Sequence, residues 1–381
     1  MNGKGDLLYF SNVEWNLFQR PQSLSVEFAN RGYRVFYVEP MLSLGNIAHH
    51  LLTGKSLRLP EIPHDNVILL RPLLALSTFR FGTTQRLDRI LFALWFSNIK
   101  RRYAIRNDAI VMLNLPYWWK NIIDRSLFPE NSIIYDCIDD TRVHSRNRKM
   151  LDRMERSERV LASEADVCFA TAGELFKKMK TANPRTYLLP NAVSWEHFLS
   201  KSATVPADLA ALPRPLVGFV GSLYDHIDFG VFERIAEILK EGTVVLVGFT
   251  NREEELGRLL ARYKNMYYAG AKSFDEVPAY MKAFDVCLSP FNIDTVGNSV
   301  NPLKLYEYSI FGMPIIGART KEMENYADLV YLYSTPEEIE PALSQALDEH
   351  RDDARKRQRI QFAQHNSWQA RVDQIEQILG H

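Results

Sequence analysis

NPLKLYEYSIFGMPIIG, residues 301–317, is the stretch on which the reading of this chain turns. Asn301 suits a helix N-cap and Pro302 the first helical position. Gly312 is placed to end the helix, and the apolar run 314–316 after it reads as a buried strand. Lys304 and Glu307 stand three apart and therefore share a helix face. The first turn of a helix offers N–H groups without intrahelical acceptors and a partial positive charge. Lys304 adds a full charge, and together they suit a pyrophosphate. Glu307, one turn on, only accepts hydrogen bonds, so it can hold two vicinal ribose hydroxyls at once. Diphosphate followed by ribose is the order of groups in a nucleoside diphosphate. The same spacing also makes an ordinary i,i+3 ion pair on a solvated helix, and spacing alone does not separate the two.

Outward from this segment the sequence alternates. In the second half, 215–220, 243–247, 266–268, 286–288 and 314–316 read as short buried strands, with helices at 229–240, 253–263, 274–283 and 302–311. The first half opens with a strand at 6–10, a polar loop at 11–19, a helix from Pro21 to Asn30 closed by Gly32, and a strand at 34–38. Further strands are expected at 111–115, 133–136, 166–170 and 186–189, and helices at 148–164 and 174–181. Two such series predict an α/β protein of two doubly wound, Rossmann-like domains facing across a cleft. The expected division is 1–200, a linker at 201–214 that is polar, small and proline-bearing, and 215–351. A charged helix at 352–381 has few large apolar anchors, Trp368 and Ile378 among them. It is expected to pack on the surface or back towards the first domain.

Composition narrows the function. The 381 residues are 46% hydrophobic and 24% charged, and Lys plus Arg equal Asp plus Glu at 46 each. A neutral chain carries no global field for nucleic acid. Cys137, Cys168 and Cys287 each sit in an apolar run without a Cys-x-x-Cys pair, so they read as buried free thiols in a reducing compartment. No Gly-x-Gly-x-x-Gly follows the first strand, which argues against a dinucleotide cofactor. No apolar run reaches the ~20 residues of a membrane span, and the N-terminus lacks a signal-peptide pattern. A cytoplasmic protein, with contact at the inner face of the membrane, is the expectation.

The segment 301–317 resembles the donor-site helix of GT-B glycosyltransferases, whose C-terminal domains carry Pro-x-Lys-x-x-Glu-Tyr followed by Gly-x-Pro-Ile/Val. Other matches agree in order: 215–222 (PLVGFVGS) with the first strand and glycine loop, 244–248 with the second strand, and 268–270 with 285–291 as walls of the nucleotide pocket. Residues 165–171 and 189–193 resemble the end of the N-terminal domain. The opening Trp15-Asn16-Leu17-Phe18-Gln19-Arg20-Pro21-Gln22 is similar to a subgroup that includes the teichuronic-acid type transferases. The resemblance is weakest over 41–107. It implies donor binding by Gly221, Ser222, Pro290, Asn301, Lys304, Leu305 and Glu307. It also implies a nucleotide-sugar donor, a UDP-sugar above others, and a glycan or lipid-linked acceptor in cell-surface polysaccharide synthesis. Many retaining members place a second Glu eight residues before the ribose Glu; here Ser299 stands there. Many also follow the first glycine loop with Arg and Lys, where this chain has 222–228, SLYDHID. Lys304 and backbone N–H groups are then left to meet most of the diphosphate charge. No Asp-x-Asp occurs, so neither metal nor other cofactor is expected.

Sugar transfer needs a base for the acceptor hydroxyl. Asp139 and Asp140 follow the strand at 133–136, at the carboxyl end where α/β sites gather, and resemblance to inverting members favours an Asp there. Either can equally cap the following helix. His144 is a further candidate. In the first loop Glu14 and Trp15 are expected on the acceptor side, with Trp15 stacking on a sugar or headgroup and Arg20 meeting a phosphate. Packing and helix-start roles are the alternatives. Residues 80–106 hold seven basic residues against Asp88, around the apolar run 90–96. They read as a membrane-surface helix or as a core helix with charged ends. A nucleotide-sugar epimerase of the same fold and a non-catalytic nucleotide-sugar-binding subunit are the rival functions. Donor isomerisation without acceptor marks the first, and donor binding without transfer or hydrolysis the second.

Overall fold

The computed structural model describes residues 4–16, 18–43, 64–74, 85–143, 148–201, 204–294, 296–349 and 353–380. They fall into two compact units: Met1–Pro190 with Val372–His381, and Asn191–Arg371.

The first unit contains β1 (Gly5–Phe10), β2 (Tyr33–Val38), the two-residue β3 (Leu42–Ser43), β4 (Val67–Leu70) and β5 (Leu73–Leu74). It continues with β6 (Ile110–Leu113), β7 (Ile133–Cys137), β8 (Val167–Ala170) and β9 (Thr186–Leu188). Seven of them form one parallel sheet in the order β4-β2-β1-β6-β7-β8-β9; β3 and β5 pair separately. Runs such as IVML and VCFA are buried along their whole length, as strands covered on both faces must be. The helix Arg20–Asn30 starts one residue before Pro21, and Gly32, at φ +92°, turns the chain out of it. The helix Gln85–Arg102 buries Phe92 and Phe96 against Phe10, Trp118 and Phe128.

The second unit holds β10 (Leu216–Val220), β11 (Thr243–Val247), β12 (Met266–Gly270), β13 (Val286–Ser289), β14 (Ile315–Ala318) and β15 (Tyr331–Tyr333). They form a parallel sheet in the order β12-β11-β10-β13-β14-β15. Strand order reverses direction between β10 and β13, and ligands of open parallel sheets bind beyond the carboxyl ends of the strands at such a point.

Two expectations about organisation are corrected. Residues 201–214 are not a bare linker. The helices Trp195–Lys201 and Ala207–Ala210 belong to the second unit and bury Phe198 and Leu209 in its core, where Asp208 accepts the Tyr280 hydroxyl at 2.8 Å. The tail is not one helix. It is two, Asp353–His365 and Trp368–Leu379, and it buries Arg359, Ala363, Trp368, Val372 and Ile375. Arg359 carries a buried ion pair with Glu349. Charge density misled here because the buried anchors of the first of these helices are Arg359 and Ala363 rather than large apolar side chains. Beyond Arg371 the tail counts with the first unit, where Glu376 meets Lys4, Arg31 and Tyr33. No helix among the described residues is long and apolar enough to cross a membrane.

Candidate active site

In the second unit the loops leaving β10, β11 and β13 are knitted together. The Gly221 N–H donates to Val247 O at 2.9 Å. A Cβ on Gly248 would lie 1.8 Å from Gly221 O, and Gly248 sits at φ +141°, so only glycine fits there. Leu223 bridges to Thr250 and Ile227 to Phe291. The Asp228 N–H donates to the buried Pro290 carbonyl at 2.8 Å, and the Asn292 N–H to His226 O at 3.0 Å. Gly221, Ser222 and Pro290 therefore stand in one collar at the carboxyl end of the sheet. His226 stacks on Phe291 with ring centroids 5.7 Å apart, and burial pushes its imidazole below the ordinary value, with Arg252 acting the same way.

The helix carrying Lys304 and Glu307 runs from Leu303 to Ile310. Asn301 does not cap it. Pro302 occupies the cap position, and the Asn301 side chain turns into the protein. Its Oδ1 accepts from Asn191 N at 2.9 Å, and its Nδ2 donates to Glu322 at 2.8 Å and to the Tyr326 hydroxyl at 3.2 Å. A buried amide with three partners satisfies itself better here than at a helix end. Asn301 thus fixes the start of the helix from outside it. Leu305 is fully buried in the core and its N–H is taken by Pro302 O, so it packs the helix and offers nothing to a ligand.

Lys304 Nζ lies 2.5 Å from Glu307 Oε2, so the ion pair allowed by the spacing does form. It is not on a solvated face, because Glu307 is only 5% exposed, against 22% for Lys304. The next residue, Tyr308, is buried, and its hydroxyl accepts from the Val220 N–H at 3.0 Å. The helix is thereby tied to the end of β10, directly before Gly221. Ser299 is buried in the 3-10 turn Gly297–Ser299. A Cβ on Gly297 would meet Asn292 O at 1.9 Å, which closes that loop on itself.

In the first unit β7 ends at Cys137, and the two candidate bases follow. Asp140 is 4% exposed and holds Arg142 three times: the backbone N–H at 2.9 Å, Nε at 2.7 Å and Nη2 at 2.7 Å. Burial alone would raise its carboxyl, but the Arg142 hydrogen bonds and nearby Lys178 hold it below the usual carboxylate range. A group so anchored is a weak base. Asp139 is half-buried beside it. Beneath them Glu158, fully buried, takes the Tyr135 hydroxyl at 3.0 Å and Lys178 at 2.5 Å. His144 lies outside the described residues.

The acceptor-side expectations for Arg20 and Trp15 are corrected. Arg20 is 4% exposed and makes a two-point pair with Asp136, Nε to Oδ2 at 2.9 Å and Nη2 to Oδ1 at 2.8 Å. The Tyr9 hydroxyl adds a third bond to Asp136 at 2.9 Å. This guanidinium is committed and cannot turn to a phosphate without stranding a buried carboxylate. Trp15 is 5% exposed, with its backbone N–H donating to the Glu39 carboxylate and its ring edge-on to Tyr37 at 5.0 Å. It is core, not a stacking platform. Glu14 keeps a half-buried side chain, while its carbonyl accepts from Gln22. Asp136 was the residue to notice: a carboxylate inside IIYDC has to find a buried partner, although nothing nearby in sequence names Arg20. Among the described residues no group of three or more His, Cys, Asp or Glu converges as a metal site would.

Residues 214–349 match the family described as Glycosyl transferases group 1. A putative teichuronic acid biosynthesis glycosyltransferase, TuaH, of Bacillus subtilis (strain 168) is 26% identical over 274 residues, covering 67% of this chain and 68% of that protein. Among solved structures, sucrose-phosphate synthase of Thermosynechococcus elongatus superposes with a TM-score of 0.67 at 14% identity, over 99% of this chain and 98% of that one. HepE of Anabaena, in complex with UDP, gives 0.66 at 14% identity over 99% of both chains. At these identities the likeness is one of fold.

Proposed function

The chain is a glycosyltransferase of the GT-B fold, and from that premise we propose that it moves a sugar from a UDP-sugar to a glycan or lipid-linked acceptor in cell-surface polysaccharide synthesis. The reaction proceeds with inversion and without a metal. The donor is assigned to the second unit and the acceptor to the first.

The observation that carries this reading is the Lys304–Glu307 pair. It stands in the first turns of a helix, tied through Tyr308 to the glycine loop, with its cation partly exposed and its carboxylate buried. The two groups satisfy each other until a ligand arrives that can exchange with both. Lys304 and the first N–H groups of the helix take the diphosphate, and Glu307 takes the ribose hydroxyls. Gly248 lets the two loops close on each other, since a Cβ there would strike Gly221 O. Neutralising the diphosphate makes it a better leaving group, because charge that develops there finds donors already in place.

Asp139 is the base. The acceptor oxygen bonds to the anomeric carbon, the bond from that carbon to the diphosphate oxygen breaks, UDP leaves with the electron pair, and Asp139 takes the hydroxyl proton. Asp140, held ionised by Arg142, positions the turn. Of the first loop, only Glu14 is retained on the acceptor side.

A thermal-shift panel of UDP, GDP, ADP, CMP and dTDP tests the donor assignment. UDP raises the melting point of the native chain and of Asp139→Asn, and not that of Lys304→Ala. If no nucleotide shifts the native chain, there is no donor site here. Asp139→Asn lowers transfer by about 10²–10⁴-fold. A product that keeps the donor's anomeric configuration overturns the inverting assignment.

A further inference from the structure

The helix Gln85–Arg102 has two faces of different kinds. One is core: Phe92, Phe96 and Asp88 are buried. On the other, Leu87 is 47% exposed, Ile90 59% and Leu94 65%. Spacings of three and four place these three on one stripe. They are three of the ten large hydrophobics that stand exposed among the described residues, gathered within eight positions of one helix. Arg86, Arg101 and Arg102 are exposed around the same stripe, at both ends of the helix. The helix carries five basic residues, and its one acid is the buried Asp88. Arg89 is turned away into a pair with Asp124. The exposed face is therefore apolar along its middle, cationic at its ends, and free of exposed acid, in a chain whose total charge is zero.

That pattern selects its partner. A nucleic-acid backbone would meet the arginines but offers nothing to Leu87, Ile90 and Leu94. A neutral apolar surface would leave the arginines without counter-charge. A bilayer with anionic headgroups answers both: aliphatic side chains enter the headgroup–acyl boundary and guanidinium groups meet phosphates. We propose that this helix lies flat on an anionic lipid surface, with Leu87, Ile90 and Leu94 inserted and Arg86, Arg101 and Arg102 on the headgroups. At ~1.5 Å per residue its 18 residues span about 27 Å of that surface. The proposal stands on the helix alone and does not depend on which nucleotide or acceptor the enzyme uses.

Sedimentation of the full chain with vesicles tests it. Binding to phosphatidylcholine vesicles containing phosphatidylglycerol is expected, weakened by added salt, with little binding to phosphatidylcholine alone. Changing Arg86, Arg101 and Arg102 together to Gln should weaken binding about a hundredfold, from the loss of three surface cations. Leu87→Gln with Ile90→Gln and Leu94→Gln should weaken it at least about tenfold. All six positions are exposed, so unchanged urea midpoints are expected and confirm that the variants fold. No sedimentation with anionic vesicles, or equal binding by the variants, overturns the proposal. So does a concentration-dependent dimer in ultracentrifugation that the leucine–isoleucine variant abolishes while vesicle binding persists, since the face would then belong to a second copy of the chain.

Discussion

Each unit places an acid–base pair near the start of a helix that follows or packs beside a parallel sheet, and the two pairs are opposites. Arg20–Asp136 in the first unit is sealed: 4% and 0% exposed, joined at two points, with Tyr9 filling a third position on the carboxylate. Lys304–Glu307 in the second is joined at one point, and its cation reaches solvent. An arginine fork matched to a carboxylate is fixed in one geometry, whereas a lysine on a four-carbon stem can be redirected. A buried pair with every position filled holds a fold together. A pair with one mobile member and unfilled acceptor positions can be exchanged for a ligand. Both cations stand in the first turn of a helix, which is why Arg20 and Lys304 look alike in the sequence; burial and the filling of the carboxylate separate them.

The sharpest way to break the comparison is to cut each pair. Arg20→Ala leaves Asp136 buried without its cation, beside Tyr9, and should cost about 3–5 kcal/mol of stability in urea unfolding. A loss below about 1 kcal/mol would place that pair with the exchangeable kind. Glu307→Gln should instead leave stability within about 1 kcal/mol and weaken UDP binding by roughly 1.5–3 kcal/mol, or about 10–100-fold, read by calorimetric titration. If Glu307→Gln destabilises the fold as much as Arg20→Ala does, the two pairs are alike and the donor assignment loses its support.

A smaller contrast lies in pH. Asp140 in the first unit is held below its ordinary 3.8, so its contribution is complete above that value and is lost as pH falls below it. His226 in the second unit is held below its ordinary 6.5 by burial. The unfolded chain therefore takes up that proton first, and the His226 contribution is complete above 6.5 and is lost as pH falls through it. Melting midpoints measured from pH 7.5 to 5 should decline in the native chain and decline less in His226→Gln. The Asp140→Asn profile should match the native one over that window and diverge only in stronger acid.

The sheets were legible because their strands are uninterrupted apolar runs, and the helix at 303–310 because its breakers stand at its ends. The Lys304–Glu307 contact was legible because partners three apart share a face whatever the fold. What the sequence hid was partnership across distance. Asn301 looked like a cap because nothing local shows that Asn191, 110 residues away, claims its side chain. Arg20 looked available because Asp136 is 116 residues off. Trp15 looked like a ligand platform because burial by Tyr37 depends on a neighbouring strand. The tie from Tyr308 to Val220 spans 88 residues and left no local trace. Polar side chains advertise chemistry locally, but whether that chemistry is already spent is decided by tertiary contacts.

The three cysteines carry a practical consequence. All are buried, and burial pushes the thiols of Cys137 and Cys287 well above the ordinary range and that of Cys168 up to about 12. Maleimides and haloacetamides react with thiolates, so the folded chain is nearly silent to them. A single cysteine introduced on the exposed surface, at Ser97 for instance, would take a fluorophore or spin label alone, with no need to remove the native three. Slow modification of those three would in turn serve as a clock for opening of the cores that hold them.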